Sequence, residues 1–397
     1  MSIHWTKLSF IMVVFSIFLI HKWRRKSLKS SITRRKLKKE LVTLLKKNKQ
    51  NTINELNLDE QQILEKINQQ TTACNLNNVT RTNAYLAFYL KYPQVHWALL
   101  AHFVSRNAGW NMTDLKGDLL SKILSETEQN AFFQFMERAN WLIFQDAYPQ
   151  LLLYEESVRQ SKPLFHLLSH LGVSSFMQAV WSIFWQQKQS HILTHALIIN
   201  EQNYIEKRVV QNPIFKEEVT STLEFKLQDV FAFNYILFPY QTHGISQLKG
   251  LVVHLFTKLN QRIELGYKLY TLLYENPSQL RSYVKWANQH PHTGSRSDYW
   301  RNVYCVVQEG IPTKTYKPRI ADGHLKSGAK KLFSPVLVHV WKDTSHKKPE
   351  VEDWFQNEGI VKMLFKEMNV KDHNVKLAYM KSLERLELAV AAKSLLS

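Results

Sequence analysis

From Asp59 onward apolar residues return every three or four positions, and this helical period limits the chain's possible folds more than any other feature. Ile63, Leu64 and Ile67 share one face behind Asp59, a residue suited to capping. Thr80 opens a second segment carrying Ala84, Tyr85, Phe88 and Tyr89. Pro93 suits the first turn of a helix through Arg106 that closes near Gly109. Ser125-Glu-Thr-Glu128 has the form of a capping box and leads into Phe132, Phe133, Met136, Ala139, Ile143 and Ala147. Pro149, Pro163, Gly172 and Pro213 punctuate further helices. Ser175–Trp185 is apolar almost all round and so belongs at the centre of the fold. Ile245–Tyr274 reads as one long helix.

Eleven glycines in 397 residues are too few for the many turns of a β-sandwich or a doubly wound sheet. The texture changes only over residues 290–350, a loop-rich segment holding five of the eleven prolines. There Ser297–Gln308 reads as helical and Val336–Trp341 as strand-like. Two C-terminal helices follow within 351–394, near Val351–Met368 and His373–Ser394. The expected fold is mainly α, one multi-helix domain over 51–397.

Ahead of that domain, residues 1–23 read as a membrane anchor and 24–50 as a basic juxtamembrane segment. Leu8–Ile20 is apolar, Trp5 and Trp23 flank it at interface spacing, and Lys22 begins a run of 13 Lys/Arg against the single Glu40. Positive charge after the span places the bulk of the chain in the cytoplasm of a single-pass cell-membrane protein. Leu28, Ile32, Leu37, Leu41, Leu44 and Leu45 recur among the basic residues, the pattern of a basic amphipathic helix on an anionic leaflet. Arg24, Arg25, Lys26, Arg34, Arg35, Lys36, Lys38 and Lys39 would face the lipid. Adjacency to the span favours lipid over nucleic acid, although a basic run neutralises phosphates of either kind. Outside this tether the net charge is modest, so the pI near 9.6 belongs chiefly to it. Two cysteines, Cys74 and Cys305, make no disulfide framework.

Three groups of residues can carry chemistry. Trp286 to Trp300 is the densest polar stretch: His290 and His292 can ligate metal, Arg296 can meet a phosphate or carboxylate, and Asp298 can act as ligand or base. Turn chemistry accounts for the same residues, with Ser297 or Asp298 as a cap and Gly294 as a turn. Arg81, His96, His102, Arg106, Asn107, Asn111 and Asp114 form a second group, candidates for a pocket rim or for core and caps. His166/His170 and His191/His195 have the i,i+4 spacing that puts two imidazoles on one helix face, but no Glu follows the first His of either pair. Asp146 and Glu201 are carboxylates near these pairs in sequence. Phosphate-cradling Gly-rich loops, nucleophile elbows, Cys-x-x-Cys pairs and calcium loops are absent, and no cofactor is indicated.

Arg81-Thr-Asn-Ala-Tyr85, His96-Trp-Ala-Leu-Leu100 through Asn111-Met-Thr-Asp-Leu-Lys-Gly117, and His290-Pro-His-Thr-Gly-Ser-Arg-Ser-Asp-Tyr-Trp300 resemble signatures of an uncharacterised family of membrane-anchored proteins from spore-forming Gram-positive bacteria. The family is known as a domain of unknown function, and the resemblance covers about Thr72 to Trp341. It implies a bacterial cell and its membrane, and carries over no activity, ligand or catalytic residue. Taken together, the sequence points to a helical binding or scaffold module at the inner leaflet, with anionic lipid and a protein as partners. The alternative is a membrane-associated, metal-dependent hydrolase or transferase using His290, His292, Arg296 and Asp298.

Overall fold

The computed structural model describes residues 35–46, 55–222, 235–253, 256–309, 316–370 and 374–396. They divide into two compact units. The smaller contains helix α1, residues 35–46, and a 3₁₀ segment, Glu358–Phe365. Arg35, Lys36, Lys38 and Lys39 are exposed on α1, while Leu37, Leu41 and Leu45, one stripe at i, i+4 and i+8, are buried.

The larger unit is mainly helical. Its early helices are α2 (Leu58–Cys74), α3 (Asn78–Lys91), α4 (His96–Asp114), α5 (Glu126–Arg159), α6 (Ser175–Gln187) and α7 (Ser190–Ile205). Their starts are written in the sequence. Asn57 with Glu60, Asn77 with Thr80, and Ser125 with Glu128 each close a reciprocal capping box. α6 is central as its composition predicts, with Phe176, Met177, Val180, Trp181 and Phe184 at most 1% exposed. Pro149 lies inside the 34-residue α5 instead of ending it. The lost backbone bond is outweighed by burial of Leu142, Phe144, Leu151 and Leu153 on either side. α4 likewise starts later than Pro93 suggests and runs past Gly109 to Asp114.

The second half departs further from the helical reading. Ile245–Tyr274 is not one helix. Strands β1 (Tyr235–Thr242) and β2 (Ile245–Val252) form an antiparallel hairpin, and only Leu259–Tyr274 is helical, as α8. The hairpin turn is His243-Gly244, both at positive φ (50° and 76°), the two-residue geometry that matches strand twist. α9 (Pro277–Gln289) follows, capped by Asn276 with Pro277 in its first turn. Ser297–Gln308 holds one 3₁₀ turn, Arg296–Asp298, and a two-residue strand, Tyr304–Cys305, paired in parallel with Leu332–Phe333. Leu337–Val340 is a helical turn where a strand was expected. Over Val351–Met368 only the 3₁₀ segment is helical. The last helix, α10 (Lys376–Leu396), falls close to its expected place.

The expectation of a single-pass membrane protein is corrected here. Among the described residues no helix is long and apolar enough to cross a membrane. Leu8–Ile20, Arg24, Arg25, Lys26 and Arg34 lie outside those residues.

Candidate functional site

The two polar stretches singled out in the sequence meet, but as a buried knot. α4 is buried almost all round, so Arg106, Trp110 and Asp114, with Asn78 at the start of α3, meet the loop that follows α9. Arg106 Nη2 donates to the carbonyl of His290 and lies 3.8 Å from Asp298 Oδ2, with its guanidinium 4.6 Å above the Trp286 ring. Asp298 accepts from Trp110 Nε1 (3.3 Å), from the Thr293 amide (3.0 Å) and from Thr293 Oγ1 (2.6 Å). Burial opposes the charge on Asp298, but His292, Arg106 and the Thr293 amide outweigh it and hold the carboxyl below its ordinary range.

The tautomer of His292 follows from its neighbours. Asn78 Nδ2 donates to the Ser105 carbonyl (2.9 Å), so Asn78 Oδ1 must face His292 and His292 Nε2 must donate to it (2.8 Å). His292 Nδ1 lies 3.3 Å from Asp298 Oδ2. Burial lowers the imidazole's affinity for a second proton, against the support of Asp298. The packing leaves no room for anything else. A Cβ on Gly109 would stand 2.2 Å from Asn78 Oδ1 and 2.5 Å from His292 Nε2, which explains a glycine in the middle of a helix.

Arg296 closes the other end. Its Nε reaches both oxygens of Asp114 (2.9 and 2.8 Å), its Nη2 reaches Asp114 Oδ2 (2.7 Å) and Asn111 Oδ1 (3.0 Å), and its Nη1 reaches Tyr299 Oη (2.9 Å). Burial works against its charge and Asp114 wins. Thr113 Oγ1 donates to the Gly294 carbonyl (2.6 Å) and the Leu337 amide to the Thr293 carbonyl (2.9 Å), so the loop is tied on both sides. The adjoining cavity, beside Asp114, Arg296 and Tyr379, is about 30 Å³, room for one water. Chemically, the knot is a pair of compensated ion pairs that holds the loop against α4.

The remaining candidates separate. Asn107 donates to the Phe103 and Leu237 carbonyls and accepts from the Leu237 amide, so it pins β1 as a strand would. His102 Nδ1 is bonded to the Thr82 carbonyl (2.9 Å) inside the core. His96 stacks on Tyr274 with ring centres 4.0 Å apart, and burial pushes it down to about 4. His290 stacks on Trp286. His166 and His170 sit on a 3₁₀ segment (Phe165–Leu171), where residues four apart diverge, and His166 pairs with Glu60 (2.7 Å). His195 stacks on Tyr267 at 3.9 Å. Among the described residues no group of three or more His, Cys, Asp or Glu side chains is placed to hold a metal.

Arg81 alone of the pocket candidates lands on an open, ligand-sized cavity. A cleft of about 150 Å³ lies between α3, α4, α5, α7, α8 and the hairpin. Leu100, Ala101, Val104, Ile143, Ile236 and Leu269 are among its apolar walls. Polar residues lining it include Arg81 and Tyr85, one turn apart on α3, and Glu201 on α7. Arg81, 1% exposed, pairs with Glu137 at 2.5 Å and reaches Asn75 Oδ1 at 3.2 Å, but its Nε has no partner among the described residues. Tyr85, 3% exposed, stands edge-on to Trp97, and its hydroxyl also has no partner among them. Glu201 accepts from Trp97 Nε1 (3.1 Å) and Gln202 Nε2 (3.1 Å). Burial pushes its carboxyl up to about 7 against those bonds, and the field of Asp146 adds to the rise. Burial also raises Asp146 to about 7, against bonds from Asn200 and Gln150. Sequence reasoning missed Tyr85 and Trp97 and took Glu201 only as a neighbour of the histidine pairs. Its signal was available: the lone carboxylate of α7 comes directly after the apolar run Ala196–Ile199 and Asn200.

The fold is thus a mainly helical one, and relatives share it by sequence. The family model described as a protein of unknown function, DUF2515, matches residues 73–382. An uncharacterised protein of Bacillus subtilis (strain 168), YppC, is 50% identical over 307 residues, covering 76% of this chain and 94% of that protein. The chain belongs to the DUF2515 family. No solved structure matches it.

Proposed function

We propose that this chain is a small-molecule-binding protein whose ligand occupies the cleft between α3, α4, α7 and α8. One observation carries the reading: a cavity of about 150 Å³ has mostly apolar walls, with Arg81 and Tyr85 of α3 and Glu201 of α7 among the residues that line it. Apolar walls with a few convergent polar groups are the usual make-up of a ligand site. The alternative of a hydrolase or transferase working through His290, His292, Arg296 and Asp298 has less in its favour. Arg296 is taken up by Asp114, His292 lies against Asp298 and His290 against the Trp286 carbonyl, and the cavity beside Arg296 admits a single water.

A fragment library screened by thermal unfolding tests the proposal. Val104, 36% exposed, lines the cleft and can be enlarged without forcing a buried clash. Bound fragments should raise the melting temperature of the native chain by a few degrees and leave Val104→Phe unmoved. A library that shifts neither protein, or both alike, would defeat the reading.

A further inference from the structure

Granted that the cleft is a ligand site, its wall carries one carboxyl group without a counter-charge. Arg81 and Arg262, the two arginines of the wall, are taken by Glu137 and Glu206. Glu201 has no ion-pair partner among the described residues. Unlike Arg81 and Tyr85, it is only part-buried where it lines the cleft.

The hydrogen bonds around Glu201 suit a carboxylate. Arg262 Nε donates to Gln202 Oε1 (2.8 Å), so the Gln202 amide cannot turn, and its Nε2 must donate to Glu201 Oε1. The Trp97 indole, which can only donate, takes Oε2. Each oxygen thus faces an obligate donor and keeps a second lone pair. Asp146, whose field reaches Glu201, is arranged differently. Asn200 and Gln150 both donate to its Oδ2, their amides fixed by the indoles of Trp354 and Trp181. That pattern leaves Oδ1 to carry a proton.

Burial outweighs the two bonds to Glu201 while the cleft is empty, so the carboxyl keeps its proton up to about 7. A positive charge in the cleft reverses that balance, because it favours the ionised form that both donors already favour. The neighbouring side chains do not supply one. Asp146 on α5 holds its own proton, burial keeps the Tyr85 phenol on α3 protonated, and the arginines of α3 and α8 are neutralised. α4 and the hairpin add no ionisable side chain to the wall. Nor does the site suit a metal ion, which needs several oxygen or nitrogen ligands where the wall offers one carboxylate among apolar residues.

We infer that the cleft takes a small, mainly apolar molecule bearing an ammonium group, which replaces the Glu201 proton and donates to the remaining lone pairs of the carboxylate. A cavity near 150 Å³ accommodates one six-membered ring with a short substituent. Apolar walls supply the affinity, and the carboxylate supplies the preference for charge.

Four probes of one shape separate the possibilities on the full-length chain at about pH 6: benzylammonium (cation), benzyl alcohol (neutral donor), ethylbenzene (apolar) and benzoate (anion). Calorimetry in two buffers of different ionisation enthalpy gives the affinity and the protons exchanged. The NMR shift of the Trp97 indole N–H, bonded to Glu201 in the wall, locates the probe. Benzylammonium should bind about tenfold or more tighter than each of the other three and release most of one proton. Glu201→Gln should abolish the release and leave benzylammonium no tighter than benzyl alcohol. Should that variant not fold, the proton count on the native chain decides. If benzyl alcohol or ethylbenzene binds as well as benzylammonium, or benzoate binds tightest, while Trp97 still responds, the ammonium inference is wrong and the cleft remains a site. The same holds if benzylammonium binds without releasing a proton, or binds Glu201→Gln as it binds the native chain. If no probe moves Trp97 in the native chain, or Val104→Phe binds as the native chain does, the cleft reading fails and the inference goes with it.

Discussion

Gly109 shows how tightly individual atoms are fitted in the knot. Its missing side chain lets Asn78 and His292 approach α4, and a methyl there would overlap both. Gly109→Ala should cost about 1–3 kcal/mol in urea unfolding, although alanine is the better helix former by about 1 kcal/mol. An unchanged midpoint would mean that the knot yields easily. The sequence displayed this glycine beside Asn107 and Asn111, where it read as a helix end. Nothing local reveals that a loop from 183 positions onward presses on it. Arg81 was legible for a different reason: an arginine amid Tyr85, Phe88 and Tyr89 is a charge on an apolar face, and such a charge needs a partner. That the partner is Glu137, 56 positions on, is a fact of assembly.

At the level of elements, the early helices were readable because their caps and periods agree, as Ser125 and Glu128 illustrate. The hairpin was not. Ile245 to Val252 carries Leu248, Leu251 and Val252 at spacings that serve a helix as well as a strand, and the telling signal was the short His243-Gly244 pair ahead of it. Val351–Met368 failed for the opposite reason, since its apolar residues are spaced helically, yet Phe355, Val361 and Leu364 are buried without a continuous helix. What fixes β1 in place is Asn107, whose amide satisfies both backbone groups of Leu237. Asn107→Leu keeps the side-chain volume and strands those groups in the core. Stability should fall by about 2–4 kcal/mol, and amide exchange at Leu237 should quicken more than at Leu251. Equal exchange at both sites would assign the pin elsewhere.

Across the whole molecule, buried titratable groups pull stability in opposite directions with pH. His96, His102 and His292 all bind protons less readily in the folded chain than at their ordinary value of 6.5, chiefly through burial. The unfolded chain takes up those protons first, so their contribution is full above about pH 6.5 and is lost as pH falls toward 4. Asp146 and Glu201 behave in reverse. Raised to about 7, they keep their protons in the folded chain while the unfolded chain releases them, so stability drains as pH climbs from 4 to 7. Two variants separate the trends. Relative to the native chain, His96→Phe should gain stability between pH 7 and pH 5, and Glu201→Gln should gain between pH 5 and pH 8. Parallel stability curves for variant and native chain would remove the corresponding group from the account.

Trp110 and Asp298 meet across 188 positions. A ribosome making this polypeptide therefore finishes the helix bearing Arg106 long before the counter-charge for it exists. Until the segment after α9 emerges, that arginine must stay hydrated, and the early helices have to remain loose enough to keep it so. Completion of the core is thereby deferred to the final quarter of synthesis, with a single carboxylate as the latch.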